Sequence, residues 1–292
     1  MSRDCLKRYL LFIIIFSCAL CGQVFAEPLP LGNSVFDFAD DQLNPQKPIH
    51  VLVYKPSTAK SDSRIVFVMP GITRDGERYL KDWQPYAERQ GFMLVVPVFQ
   101  KENYSGKDYT LRKPFEEISV LTNFKLIEKL FDVLKNREHL STSVYALYGH
   151  SAGGQFVHRF LLLASASKDS RADLLIAANP SFYTLPFRDR TPGYEYPYSL
   201  ALTPLSDDDL KVIFGKKFFL LLGERDTDPG AKNLNQEPQA KAQGSSRFER
   251  GRTFFKTAQT EAERLNTSLN WQLLTVPGVG HNNKGMAGTA AA

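Results

Sequence analysis

Short apolar runs separated by amphipathic stretches repeat along most of the chain. The runs Ile49–Tyr54, Ile65–Met69, Phe92–Pro97, Val144–Tyr148, Leu174–Ala178, Phe218–Leu222 and Trp271–Val276 are mostly unbroken blocks rich in Val, Ile, Leu and Phe. Runs of that kind predict strands covered on both faces of a parallel sheet, because a strand with one wet face would alternate apolar and polar residues. Between the runs the period changes. Arg78–Gln90 predicts a helix stopped by Gly91. Phe115, Ile118, Leu121, Phe124, Ile127, Phe131 and Leu134 recur at steps of three or four and mark one buried helical stripe. Ala152–Ser165 and Ser246–Leu265 predict two more helices, the second with Phe254, Phe255, Ala258 and Ala262 inward. Strand–helix–strand alternation implies right-handed crossovers and a mostly parallel central sheet flanked by helices, an α/β fold over residues 49–292.

Two stretches break this rhythm. Residues 27–48, rich in Pro, Asn and Asp, read as an N-terminal loop, either a tether or an edge strand. Residues 180–209 are rich in Pro, Tyr, Phe and Asp with little periodicity. A loop that long inside a compact domain is a candidate lid or pocket wall; the alternative is a solvated excursion. Its rings Phe182, Tyr194 and Tyr196 are the candidate substrate-binding residues, since aromatic side chains bury large areas at low entropy cost.

Residues 1–26 carry a different pattern. Arg3, Lys7 and Arg8 precede the apolar run Leu10–Phe16, and Val24-Phe25-Ala26 fits a small-x-small cleavage site. This predicts an export signal, hence a periplasmic or secreted protein without a membrane span in the mature chain. A retained anchor is the alternative. A lipid anchor on Cys18 is a further one, although Phe16 is bulky for a lipobox and Leu20 before Cys21 fits worse. All three cysteines fall in this segment, so the mature chain has no disulfide and no thiol nucleophile. The net charge of +5 drops by two on removal of the segment, and the basic residues form no stripe. That argues against nucleic acid as a partner.

The chemistry concentrates where strands end. Gly149-His150-Ser151-Ala152-Gly153 matches G-x-S-x-G between a predicted strand and a predicted helix, the context of a nucleophile elbow. A serine hydroxyl needs a base. Of the five histidines, His50 lies mid-strand and His139 in a polar loop. His150 sits inside the elbow and is expected to point away from Ser151, and His158 is expected to be packed on the elbow helix. His281 follows the last strand in a glycine-rich turn, at the edge where open α/β sheets place active sites. The base needs a carboxylate to orient its ring. Asp226, in the turn after Phe218–Leu222, is the candidate, ahead of Asp228 and Glu224. For the oxyanion, the backbone N–H groups of Ala152 and of Ile72, in Pro70-Gly71-Ile72, are the candidate donors. Asp226, Asp228 and Glu237 also half-match a calcium loop, but Gly230 and Ala231 break its pattern. No other metal-ligand spacing and no phosphate loop appears, so no metal and no cofactor is expected.

The strand leading to Pro70-Gly71-Ile72, the elbow with its following Gly154, Gly223-Glu224-Arg225-Asp226 and Gly280-His281 together resemble the α/β-hydrolase superfamily over roughly residues 49–288. Within it the chain is similar to bacterial secreted esterases of the polyhydroxyalkanoate-depolymerase and feruloyl-esterase kind. Pro70-Gly71 stands where such families often carry His-Gly, and their structural disulfides have no counterpart in a mature chain without cysteine. The resemblance implies an α/β-hydrolase fold and a serine hydrolase acting on a small-molecule or polymer ester. Acyl transfer or peptide cleavage on the same machinery is the second reading, and a non-catalytic binding protein the third.

The export reading has a direct test. N-terminal sequencing of the protein recovered from the periplasm or medium should begin at Glu27. A chain beginning at lipid-modified Cys18 or Cys21 contradicts it.

Overall fold

The computed structural model describes residues 27–112, 120–190 and 192–292. The expected export signal, and Phe115 and Ile118 of the helical stripe, lie outside the described residues. In chain order the elements are β1 (Gly32–Phe38), β2 (Ile49–Lys55), β3 (Ile65–Met69), α1 (Gly76–Gln90), β4 (Met93–Val98), α2 (Gly106–Tyr109), α3 (Val120–Arg137) and β5 (Tyr145–His150). There follow α4 (Ala152–Leu163), β6 (Ala172–Ala178), α5 (Asp207–Phe214), β7 (Phe218–Gly223), α6 (Pro238–Ala242), α7 (Arg247–Arg264), β8 (Trp271–Val276) and α8 (Asn283–Ala290).

The strands form one sheet in the order β1-β2-β4-β3-β5-β6-β7-β8. β1 and β2 run antiparallel to their neighbours, and the rest are parallel. The inner parallel strands β3, β4 and β5 bury both faces, whereas the edge strand β8 leaves Gln272, Leu274 and Thr275 exposed. On β3, Ile65, Phe67 and Met69 join the core under α3, α4 and α7, while Val66 and Val68 join the one under α1 and α8. That two-sided burial is why these strands read as unbroken apolar runs.

Of the two readings of residues 27–48, the structure takes the edge strand: β1 lies there, its side chains alternating between half-buried and exposed. One face is wet, so its apolar pattern is thin. Two other stretches differ from the sequence reading. α5 grows out of the irregular stretch 180–209: Ser206 and Asp209 form a reciprocal capping box, and the acidic run Asp207-Asp208-Asp209 fills the first turn. α8 occupies the Ala-rich C-terminal residues and is capped by Asn282.

The register aligns the C-terminal ends of the parallel strands. Met69 sits opposite Gly149, His150 opposite Ala178, Ala178 opposite Leu221, and Gly223 opposite Val276. The turns after β3, β5, β6, β7 and β8 therefore open at one edge.

The junction of β5 and α4 is the tightest place in this arrangement. A Cβ on Gly153 would stand 2.0 Å from the Met69 carbonyl oxygen, and one on Gly149 would stand 2.2 Å from that of Gly153. Both obstacles are backbone. Gly153→Ala is therefore expected to lose more than about 4 kcal/mol of stability or to prevent folding. Gly230→Ala, whose Cβ would meet only the Asp228 carboxylate at 3.4 Å, should change stability by less than about 0.5 kcal/mol. Urea denaturation of both variants checks this, and equal stabilities would contradict it.

Candidate active site

Ser151 is the one residue between β5 and α4, with φ 59° and ψ −116°. Its N–H donates to the Ala178 carbonyl at 2.9 Å, and its own carbonyl takes the first helical bond from Gln155 at 3.0 Å. The strained backbone is thus fixed from both sides. His281, in the turn after β8, places Nε2 2.9 Å from Ser151 Oγ. Its Nδ1 lies 2.7 Å from Asp226 Oδ2. Asp226 is almost wholly buried, and its N–H donates to the Gly223 carbonyl at 3.0 Å. An ionised carboxylate on Nδ1 fixes the proton there and leaves the Nε2 lone pair toward the hydroxyl. The competing acids lie elsewhere: Asp228 is exposed and accepts from Gly230 N–H at 2.8 Å, and exposed Glu224 accepts from Thr275 at 3.0 Å.

Asn179, buried with φ 47° at the end of β6, joins the two turns. Its Oδ1 accepts from Gly223 N–H at 2.9 Å, and its Nδ2 donates to the Gly280 carbonyl at 3.3 Å. That bridge, with the Arg225 N–H donating to the Val279 carbonyl at 2.8 Å, ties the turn carrying Asp226 to the turn carrying His281.

The turn after β3 closes over Ser151. Arg74 N–H donates to the Gly71 carbonyl at 3.0 Å, Tyr109 Oη to that of Pro70 at 2.7 Å, and Arg74 Nη1 to that of Ile72 at 2.9 Å. A planar trans peptide then points the Ile72 N–H opposite to the held Gly71 carbonyl. A Cβ on Gly71 would lie 3.7 Å from Ser151 Cβ and 2.9 Å from the Tyr79 hydroxyl, which is why a glycine stands there.

Several residues around this cluster escaped the sequence reading. The Arg247 guanidinium is buried against Asp226, Nη1 to Oδ1 3.3 Å, and its Nη2 donates to the Lys232 carbonyl at 3.1 Å. It occupies the first position of α7, where a cation opposes the helix dipole. That misplacement, visible in Ser246-Arg247, is a signal that a buried anion stands opposite. His150 does not stand apart from the site. Its ring centroid is 4.7 Å from that of His281, and its Nδ1 meets the Tyr79 hydroxyl at 2.9 Å. Burial, then the neighbouring His281 and Arg247, holds the pKa of His150 well below 6.5.

The aromatic wall expected of Phe182 and Tyr196 is not what these rings form. Phe182 is fully buried beneath the Arg159 guanidinium, 4.9 Å from its centroid, and beside Tyr198 at 5.2 Å. Tyr196 is buried and donates to the Leu111 carbonyl; burial pushes its pKa up to about 12. Tyr194 is half-buried, and its carbonyl accepts from Ser199 Oγ. The stretch 180–209 is instead stitched to the domain. His158 Nδ1 donates to the Gly154 carbonyl at 3.1 Å, and its Nε2 accepts from Thr184 N–H at 3.1 Å. Gln243 pairs with both backbone groups of Tyr183 at 2.9 and 2.7 Å. Apolar rings serve this interior packing better than they serve solvent.

Solved structures resemble the chain over nearly its whole length. Poly(aspartic acid) hydrolase-1 from Sphingomonas sp. KT-1 is similar with a TM-score of 0.80 and 32% identity, over 90% of this chain and 98% of that one. The LpqC poly(3-hydroxybutyrate) depolymerase from Bordetella parapertussis also gives 0.80, with 29% identity over 90% and 89% of the two chains. An S-formylglutathione hydrolase from Agrobacterium tumefaciens shares the fold at 0.56, with 14% identity over 91% and 94%. No protein-family model and no curated protein sequence matches the chain.

The two buried histidines set a pH dependence of stability. Burial keeps His150 and His158 well below their ordinary pKa of 6.5 in the folded chain. In the unfolded chain both take up a proton near that value, so below it the unfolded state binds more protons and stability falls with pH. Stability from this source should be complete above about pH 7 and decline below about 6.5, by up to about 1.4 kcal/mol per pH unit for each ring. Urea denaturation at about pH 7.5 and 5.5 should show a smaller decline for His158→Gln than for the parent. An equal decline contradicts the assignment.

Proposed function

Since this chain belongs to the α/β-hydrolase superfamily, we propose that it is a serine hydrolase that cleaves carboxylic esters through an acyl-enzyme intermediate. The observation that carries this reading is the unbroken line from Ser151 Oγ to His281 at 2.9 Å and from His281 to buried Asp226 at 2.7 Å.

In this reading His281 Nε2 takes the Ser151 proton as Oγ attacks the ester carbon. Asp226 holds the resulting imidazolium, and Ala152 and Ile72 N–H receive the oxyanion. His281 then returns the proton to the departing alcohol. Water, deprotonated by the same nitrogen, attacks the acyl carbon and releases the acid, restoring Ser151. None of these steps calls for a metal or cofactor. The sequence pattern of residues 1–26 supports a periplasmic or secreted location. Among the described residues, no helix is long and apolar enough to cross a membrane.

The substrate class is open to one direct comparison. Similarity to a poly(3-hydroxybutyrate) depolymerase favours a polyester or its oligomers. The 32% identical structure is a poly(aspartic acid) hydrolase, which favours as second reading the cleavage of an acidic polymer by the same serine. The purified enzyme should hydrolyse p-nitrophenyl esters and release acid from polyhydroxybutyrate faster than it shortens poly(aspartic acid); the reverse order selects the second reading. In either case Ser151→Ala should lower kcat by about a thousandfold or more with the fold intact. Activity retained at more than a few per cent excludes Ser151 as nucleophile.

A further inference from the structure

Arg74 closes the turn that carries Ile72, and nothing in the sequence pattern singles it out. It is 7% exposed and sits at φ 58°, a conformation unfavourable for a residue with a Cβ. Its guanidinium lies 3.7 Å from the centroid of the Tyr109 ring, and Nη1 holds the Ile72 carbonyl. Nε and Nη2 are buried without a hydrogen-bond partner, and among the described residues no carboxylate pairs with it. Among the described residues, this buried positive charge in strained backbone has no counter-ion, and it sits in the turn whose Gly71 packs toward Ser151.

A structural role alone does not account for this. Burying a cation without a partner destabilises a fold. A neutral side chain would fill the space beside Tyr109 without that penalty. What the guanidinium adds is charge. Negative charge is absent from the neutral ester and appears on its carbonyl oxygen when Ser151 attacks. Resting on the serine-hydrolase reading above, we propose that Arg74 is a positioning residue for the transition state: its guanidinium braces the Ile72 carbonyl, one peptide on from the Ile72 N–H, and its charge, unpaired among the described residues, finds its counter-ion in the oxyanion. The proton removed from Ser151 resides on His281 at that moment, so the negative charge near Arg74 is newly formed. An interaction made only then acts on kcat and leaves ground-state binding alone.

The test uses the full mature enzyme and p-nitrophenyl butyrate, with parent, Arg74→Gln and Arg74→Lys compared for kcat, KM and Tm. Arg74→Gln should lower kcat by about tenfold or more with KM within about twofold, while its Tm stays level or rises. Arg74→Lys, which keeps the charge, should recover most of kcat. A glutamine variant with parental kcat overturns the proposal. So does a lysine variant as slow as the glutamine one, since shape and not charge would then be at stake. Should Arg74→Gln fail to fold, the lysine variant alone decides: near-parental kcat supports the role of charge, and a tenfold loss contradicts it. Ser151→Ala run alongside separates the two levels, because activity surviving that change overturns the serine reading as well.

Discussion

β5 becomes α4 across a single residue, and the rest of the site depends on that constraint. Ser151 holds φ 59° because its N–H is tied to β6 and its carbonyl to α4. The helix can start so abruptly only because Gly149 and Gly153 leave room for bare backbone, with the Met69 carbonyl of β3 where a Cβ would go. One close approach therefore fixes three things together: the height of the serine above the sheet, the direction of α4, and the distance to the turn after β3. Strain of this kind persists only where the surroundings over-determine it, and here two strands and a helix do so.

The electrostatics form a continuous line of side chains around that serine. Arg247 faces one oxygen of Asp226, His281 the other, His150 lies against His281, and Tyr79 bonds His150 while its hydroxyl crowds Gly71. The carboxylate is held in one orientation by a cation on α7 that would be unfavourable at a helix start without it. The base-side group His150 and the turn after β3 thus meet the same tyrosine. Arrangements fixed this way reorganise little as charge develops, which is where preorganised sites gain most.

The strands and principal helices were legible because burial on both faces of a parallel sheet writes unbroken apolar runs, and helices write a three-to-four step. β1 was thin in the pattern because an edge strand with a wet face carries few apolar residues. α5 hid behind the acids of its first turn, and α8 behind an Ala-rich tail. Ser151, Asp226 and His281 were legible because each follows a strand in a glycine-marked turn. Arg74, His150 and Arg247 were not, since their neighbours come from distant elements and only the fold brings them close. The rings of residues 180–209 show the opposite error. Their composition suits a pocket wall and suits packing equally, and exposure alone separates the two: Phe182 and Tyr196 are buried.

The central claim is that Ser151 is the activated nucleophile of a Ser–His–Asp relay. Covalent capture tests it most directly: the enzyme is treated with a fluorophosphonate, and the adduct is weighed and mapped by peptide mass spectrometry. The expected result is one adduct per chain on the peptide containing Ser151, formed far more slowly in a folded His281→Ala variant. A protein that hydrolyses esters yet carries no adduct on Ser151, or labels at the same rate without His281, contradicts it.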